Sequence, residues 1–227
     1  MSTVQIYYLY SDRLKKSLSK INFDAIVNKG DMSLDELYNQ IKKLPDFCRG
    51  EESIDYSYFL NLIASDINLY AVLDGNIAGV LSFMFNIKDG FNIINFNGIC
   101  SPSKYSGQGV GQELIHTLIK IGKLNNIQYI SLDCKGKIMN YYHDKFGFEI
   151  VSSHVSYEDD DDDSDEEDST KPKELYYLMR LNLSNVSGGK KKRHKKGSNR
   201  KRTNRKRTNR KRTNRKVKKN CSTRKKN

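Results

Sequence analysis

An α/β (α+β) fold, a mixed and mainly antiparallel sheet flanked by helices, is predicted by three observations. Residues 67–100 alternate with period two over three successive segments, as an antiparallel meander does. Apolar residues at helical spacing appear before that meander and again directly after it. Beyond residue 128, strand and helix patterns succeed one another as far as residue 181. A chain of 227 residues, 37% of them hydrophobic, has room for one such domain plus appendages.

The elements follow in order. Residues 4–10 are short, apolar and rich in β-formers, and read as a first strand. Ser33-Leu34-Asp35-Glu36 has the form of a capping box. It opens a helix through Leu34, Leu37, Ile41 and Leu44 that stops before Pro45. A second helix falls near residues 54–64. Leu69, Ala71 and Leu73 then alternate ahead of Asp74-Gly75-Asn76, a turn in which glycine can take positive φ. Residues 77–85 are apolar on both faces, which marks a central strand covered on both sides. Lys88-Asp89-Gly90 is a further hairpin turn, followed by a strand to about Cys100. After a glycine-rich loop, Val110, Leu114, Ile115, Leu118 and Ile119 mark the buried face of a helix. Residues 128–134 read as a strand, 138–145 as a helix, and 148–155 and 174–181 as the closing strands.

Net charge is +13, but its placement matters more than its sum. Residues 190–227 carry 22 of the 40 basic groups and no acid, which leaves residues 1–189 at −9. Ten of the acids lie in one run, Glu158 to Asp168. A uniformly basic nucleic-acid-binding fold is thereby excluded. The domain is expected over residues 1–183, with a disordered acidic loop at 158–170 and a disordered basic tail at 184–227. Cys48, Cys100, Cys134 and Cys221 show no CxxC spacing, and no apolar leader follows Met1. A disulfide framework is therefore not expected; reduced thiols in an intracellular protein, cytoplasmic or nuclear, are. No apolar run approaches the ~18–20 residues that span a bilayer.

Chemistry concentrates at Ser106-Gly107-Gln108-Gly109-Val110-Gly111, between a strand and a helix. Glycines let a ligand approach the backbone, and the first-turn amides and helix dipole favour an anion, here a diphosphate. A P-loop would need Lys-Ser/Thr after the last glycine, where Gln112-Glu113 stands. A Rossmann turn needs GxGxxG tight against its strand; the spacing here is GxGxG, several residues past the strand and behind an antiparallel meander. No cluster of metal-ligand type surrounds His116 or His154, and no metal is expected.

Taken together, the strand and loop from Ile99 to Gly111, the Tyr142-His143-Asp144-Lys145-Phe146-Gly147-Phe148 segment and the terminal Tyr-Tyr-Leu-Met-Arg-Leu resemble the GNAT superfamily of acetyl-CoA-dependent N-acetyltransferases. The resemblance covers about residues 1–183 and implies a direct transfer from acetyl-CoA to a primary amine in a ternary complex. It implies that Ile99, Cys100 and Ser101 lie along the pantetheine arm, held by the backbone of Ile99 and Ser101. The pyrophosphate would fall to the loop of Ser106, Gly107, Gln108, Gly109, Val110 and Gly111, with Gln112 following. Tyr142 is the implied general acid, since a phenol with pKa near 10 suits protonation of a thiolate. His143 is the reserve, and a core aromatic is the other reading of Tyr142. Cys100 and Cys134 are read as strand residues, not nucleophiles. Three positions depart from the family's pattern: Ser106 heads the loop in place of Arg or Gln, Asn95 stands where some members keep a glutamate base, and Gly136 stands where an Asn is frequent.

The tail repeats Asn-Arg-Lys-Arg-Thr with period five from Asn199 and has no aromatic residue. Residues 190–226 therefore suit non-specific binding to a nucleic-acid backbone, without base stacking. Lys190–Lys196 also reads as a nuclear-import cluster. The reading from a different functional class is an acetyltransferase fold without catalysis that binds nucleic acid or a partner through this tail.

Overall fold

The computed structural model describes residues 3–44, 46–48, 56–88, 91–156 and 174–184. The Asp89-Gly90 turn, Pro45, the acidic run and the basic tail lie outside the described residues.

Eight strands form one sheet in the order β2-β1-β3-β4-β5-β6-β8-β7. They are β1 (Gln5–Tyr10), β2 (Asn28–Lys29), β3 (Ile67–Leu73), β4 (Asn76–Lys88), β5 (Phe91–Cys100), β6 (Tyr129–Lys135), β7 (Glu149–Ser156) and β8 (Glu174–Asn182). Most neighbours are antiparallel; β1 with β2 and β5 with β6 are the parallel pairs. The both-face apolarity of residues 77–85 has its cause in this order, because β4 is flanked by β3 and β5 and covered by helices on each side. Among the described residues, four α-helices accompany the sheet: α1 (Leu34–Lys42), α2 (Tyr56–Ser65), α3 (Val110–Leu124) and α4 (Gly136–Phe146).

Two cores result, one on each face. Against α1 and α2, Leu37, Ile41, Phe59 and Ile63 pack with Tyr70, Val80 and Cys100. Against α3 and α4, Leu114, Leu118, Phe146 and Phe148 pack with Leu69, Leu81, Phe83 and Ile94. Ser33 caps α1 as expected: its Oγ accepts from the Glu36 amide at 3.2 Å, and Glu36 Oε2 accepts from the Ser33 amide at 2.7 Å. Gly79 lets α3 lie close on β4, since a Cβ there would stand 2.9 Å from Val110 Cγ1. Gly147, at φ 79°, closes α4 in the left-handed region that a side chain disfavours.

One expectation is corrected. Cys48 and Cys100 form a disulfide across 52 residues of sequence, so these two thiols are not reduced. Residues 46–48 lie against the end of β5, where Phe47 bridges Pro102 and Asp46 Oδ2 accepts from both the amide and the hydroxyl of Ser103. Sequence spacing carries no sign of that juxtaposition. Among the described residues Cys134 remains a free thiol, buried in β6.

Candidate functional site

Ladder pairing between β5 and β6 runs from Ile93 opposite Tyr129 to Phe96 opposite Leu132 and then ends. Past that point the two parallel strands separate into a fork. The cause is visible on the other side of β5. There Phe96 pairs with Phe83 and Gly98 with Ser82, so Asn97 is an extra, bulged residue that bends the strand. One wall of the fork is Asn97 to Cys100; the other is Asp133 to Lys135.

The glycine loop sits at the open end of the β5 wall. Gly107 and Gly109 have φ of 74° and 81°, and a Cβ at either would meet nothing within 4 Å, so their backbone faces open space. Gly109 is the N-cap of α3 and brings no side-chain cap. The amides of Val110, Gly111 and Gln112 accordingly have no intrahelical acceptor, with the positive end of a 15-residue helix behind them. The amides of Ser106 and Gln108 are already bonded, to the carbonyls of Ser103 and Tyr105. Free donor capacity thus concentrates at Gly107 and from Gly109 to Gln112. A Cβ on Gly111 would stand 3.6 Å from Ile99 Cδ1, which places the start of α3 beside the β5 wall.

Beneath the fork lies Tyr142. Helix α4 turns this residue inward, 6% exposed, with its ring edge-on to Phe96 at the fork's vertex and to Phe148. Burial pushes its phenol well above the ordinary tyrosine value, and neighbouring Cys134 and Tyr141 add to that. It therefore stays protonated across the physiological range. His143 points the other way, exposed, with Nδ1 2.9 Å from Asp144 Oδ1. The Cys134 thiol is pushed up to about 11, first by burial and then by the charge of Asp133, so it is no thiolate at neutral pH. Asn95 lies below the vertex, paired with Met84 and Ser131 in the continuous part of the sheet. Gly136 opens α4 close under Tyr177, whose ring a Cβ would approach to 3.2 Å.

The opposite face of the fork carries residues that motif reading passed over. Asn97 Nδ2 donates to Asp66 Oδ2 at 2.7 Å. Asp66, Asn68 and Ser82 are buried. Asn68 Nδ2 donates to the carbonyls of Ile63 and Asp66, and Ser82 Oγ lies 3.1 Å from Asn68 Oδ1 and 3.3 Å from Asp66 Oδ2. A signal was present in the sequence: Asn68 and Ser82 interrupt otherwise apolar strand runs, and Asp66 stands directly ahead of the first of them. On the second wall, His154 Nδ1 stands 3.9 Å from Asp133 Oδ1, and its ring stacks on Tyr176.

Among the described residues, no group of three His, Cys, Asp or Glu side chains is placed to hold a metal. Nor is any helix among them long and apolar enough to cross a membrane. The loop does fit a diphosphate: open glycines, unpaired amides and a helix N-terminus converge on one side of it.

No curated protein matches the chain significantly in sequence. In fold it is similar to the ribosomal-protein-S18-alanine N-acetyltransferase from Escherichia coli, at 13% identity and a TM-score of 0.51, over 84% of this chain and 98% of that one. Weaker likenesses include Naa50 of Arabidopsis thaliana in complex with a bisubstrate analogue (15% identity, TM-score 0.47, 78% and 97% of the two chains). A GNAT family acetyltransferase from Elizabethkingia anophelis with acetyl-CoA bound is another (15%, 0.44, 56% and 83%). The mixed sheet flanked by four helices is thus the architecture that the sequence predicts. The model of the acetyltransferase (GNAT) family matches residues 34–148, from the first residue of α1 past the end of α4. With more than half of its length so matched, the chain belongs to the acetyltransferase (GNAT) family.

Proposed function

We propose that this chain transfers an acetyl group from acetyl-CoA to a primary amine by direct attack in a ternary complex. The observation that carries the reading is the fork between β5 and β6, with free amides at one end and a protonated tyrosine beneath. Backbone amides of Gly107 and of Gly109, Val110, Gly111 and Gln112 hold the diphosphate. The edge of β5 at Ile99, Cys100 and Ser101, unpaired beyond Phe96, takes the pantetheine arm as an added strand. Acetyl-CoA supplies the activated acyl group as a thioester. Tyr142 donates its proton to the departing sulfur, and His143, turned outward, is the weaker candidate. The amine reacts neutral, its proton going to water. None of the three described cysteines offers a nucleophile: Cys48 and Cys100 are bonded to each other, and Cys134 is a buried thiol. That favours transfer without an acyl-enzyme.

Thermal unfolding with acetyl-CoA tests the site. At ~100 times its dissociation constant the ligand adds about 2.7 kcal/mol, several degrees for a domain of this size. A shift in the parent chain that disappears in Gly111→Trp is expected; no shift at millimolar acetyl-CoA, or one that survives Gly111→Trp, overturns the reading.

For residues 190–226, which lie outside the described residues, the proposal is non-specific binding to phosphate backbones. Affinity for a random DNA duplex then falls steeply with salt and vanishes on removal of residues 188–227, while turnover persists. The competing reading, a fold without catalysis acting through its tail, has no observation among the described residues in its favour.

A further inference from the structure

Asn97 is the first residue of β5 beyond its last pairing with β6, and the bulge takes it out of the strand's alternation. Its side chain lies on the α1/α2 side of the sheet, opposite Tyr142, and it is half-buried. Asn97 Nδ2 donates to Asp66 Oδ2, so the edge of the amide that faces Asp66 is the NH2. The Oδ1 of Asn97 is thereby turned away from Asp66, and it accepts no hydrogen bond among the described residues. We infer that Asn97 takes an N–H of the acceptor amine on this Oδ1, and that Asp66 is the positioning residue that fixes the amide in that orientation. This rests on the reading of the chain as an amine acetyltransferase.

The polar cluster behind Asn97 fits such a task. Asn68 spends both amide protons on the carbonyls of Ile63 and Asp66, so its Oδ1 needs a donor, which Ser82 provides. Asn97 reaches Asp66 Oδ2 at 2.7 Å, closer than the 3.3 Å of Ser82 Oγ, whose single proton is directed to Asn68. Asp66 is 2% exposed and held by its neighbours, so it cannot swing out to meet substrate. An amide interposed between a buried carboxylate and the acceptor also has a chemical use. A carboxylate in direct contact would hold the acceptor as an ammonium ion, which has no lone pair to give. The neutral Oδ1 orients an amine N–H without favouring the charged form as strongly. In the transfer the new C–N bond forms as the C–S bond breaks. Sulfur gains the Tyr142 proton, the amine loses one to water, and Asn97 takes none.

The test uses the full chain, saturating acetyl-CoA and three acceptor probes: a lysine-free peptide with a free α-amine, an N-terminally blocked peptide with one lysine, and spermidine. Asn97→Ala and Asp66→Asn are each expected to lower kcat/KM for the amine about tenfold, with KM for acetyl-CoA unchanged. The double variant is expected to be no worse than Asn97→Ala alone, because Asp66 acts through Asn97. A purely structural Asp66 would instead give losses that multiply, and that result overturns its positioning role. If Asp66→Asn does not fold, Asn97→Ala still decides: amine kcat/KM within twofold of the parent overturns the inference. A parent chain that acetylates none of the three probes overturns the proposed function and this inference together; an active parent with unaffected variants overturns the inference alone.

Discussion

The two halves of the sheet obey different rules, and the fork lies where they meet. Strands β3, β4 and β5 are covered on both faces, by α1 and α2 on one side and α3 on the other; six of the seven residues of β3 are buried. Strands β6 and β8 pack helices on one face, and β7 at the sheet edge is exposed, with the side chains of Ile150 and Val151 about half exposed. A fully covered strand is apolar except where buried polar side chains satisfy one another, as Asn68 and Ser82 do, whereas a half-covered one needs alternation alone. That difference has a functional side. On one face of the sheet the fork opens toward Tyr142 and the α3/α4 core, and on the other toward Asn97 and Asp66. In the proposed reaction, cofactor and acceptor would meet at this vertex.

The largest expected effect breaks the comparison at that point. Tyr142→Phe removes a hydroxyl that makes no hydrogen bond among the described residues, while its ring keeps the edge-on contacts with Phe96 and Phe148. The turnover number is expected to fall about a hundredfold or more, with the thermal midpoint within a degree or two of the parent. His143→Ala is expected to change turnover less than threefold. The opposite ranking in steady-state assays would move the general acid to His143.

Packing gives the next contrast. Phe83 is fully buried in β4, so Phe83→Ala is expected to cost about 3–5 kcal/mol, whereas Ile150→Ala on β7 should stay within about 0.5 kcal/mol. Urea unfolding of both variants measures the difference directly. Equal losses would mean that β7 is covered in solution by something outside the described residues.

How much of this was legible beforehand divides along the same line. The apolar faces of residues 77–85 announced a central strand because burial on both sides leaves no polar position to hide. The loop announced itself because glycines at positive φ and an amphipathic helix are local features. Tyr142 and His143 could not be separated until α4 was seen to run from Gly136 to Phe146, which sets the direction of each side chain. Strand β2 has two residues and no period to read. The Asp66–Asn97 contact spans 31 residues and the Cys48–Cys100 bond 52, distances over which only the folded chain brings groups together.

That bond joins the covered half to the fork. Closing a loop of this length restricts the unfolded chain by about 4 kcal/mol in the entropic account, and measured values commonly fall lower. Cys48→Ser is therefore expected to lower unfolding free energy by about 2–4 kcal/mol. Reduction of the parent chain should reproduce the loss and add nothing to the variant. A variant as stable as the parent would show that the bond does not restrict the unfolded chain.

The smallest effect concerns two exposed carboxylates that hold the same region in place. Glu36 lies below the ordinary glutamate value because the Ser33 amide donates to it; Asp46 is lowered chiefly by the Ser103 hydroxyl, with the Ser103 amide and Lys104 assisting. For a group lowered on folding, the stabilisation is complete above its unfolded value. It declines as pH falls and the unfolded chain takes up the proton first, and it is gone once the folded group is protonated too. For both residues the window therefore opens near pH 4 and extends downward. Asp46→Asn and Glu36→Gln should each flatten the fall in thermal midpoint between about pH 5 and pH 3 while leaving it nearly unchanged at pH 7. Because Asp46 reaches across to Ser103 beside the glycine loop, its variant should also weaken acetyl-CoA binding slightly, and Glu36→Gln should not. A pH profile for Asp46→Asn parallel to the parent's would remove that carboxylate from the joint and leave the disulfide and the Phe47–Pro102 bridge to hold it.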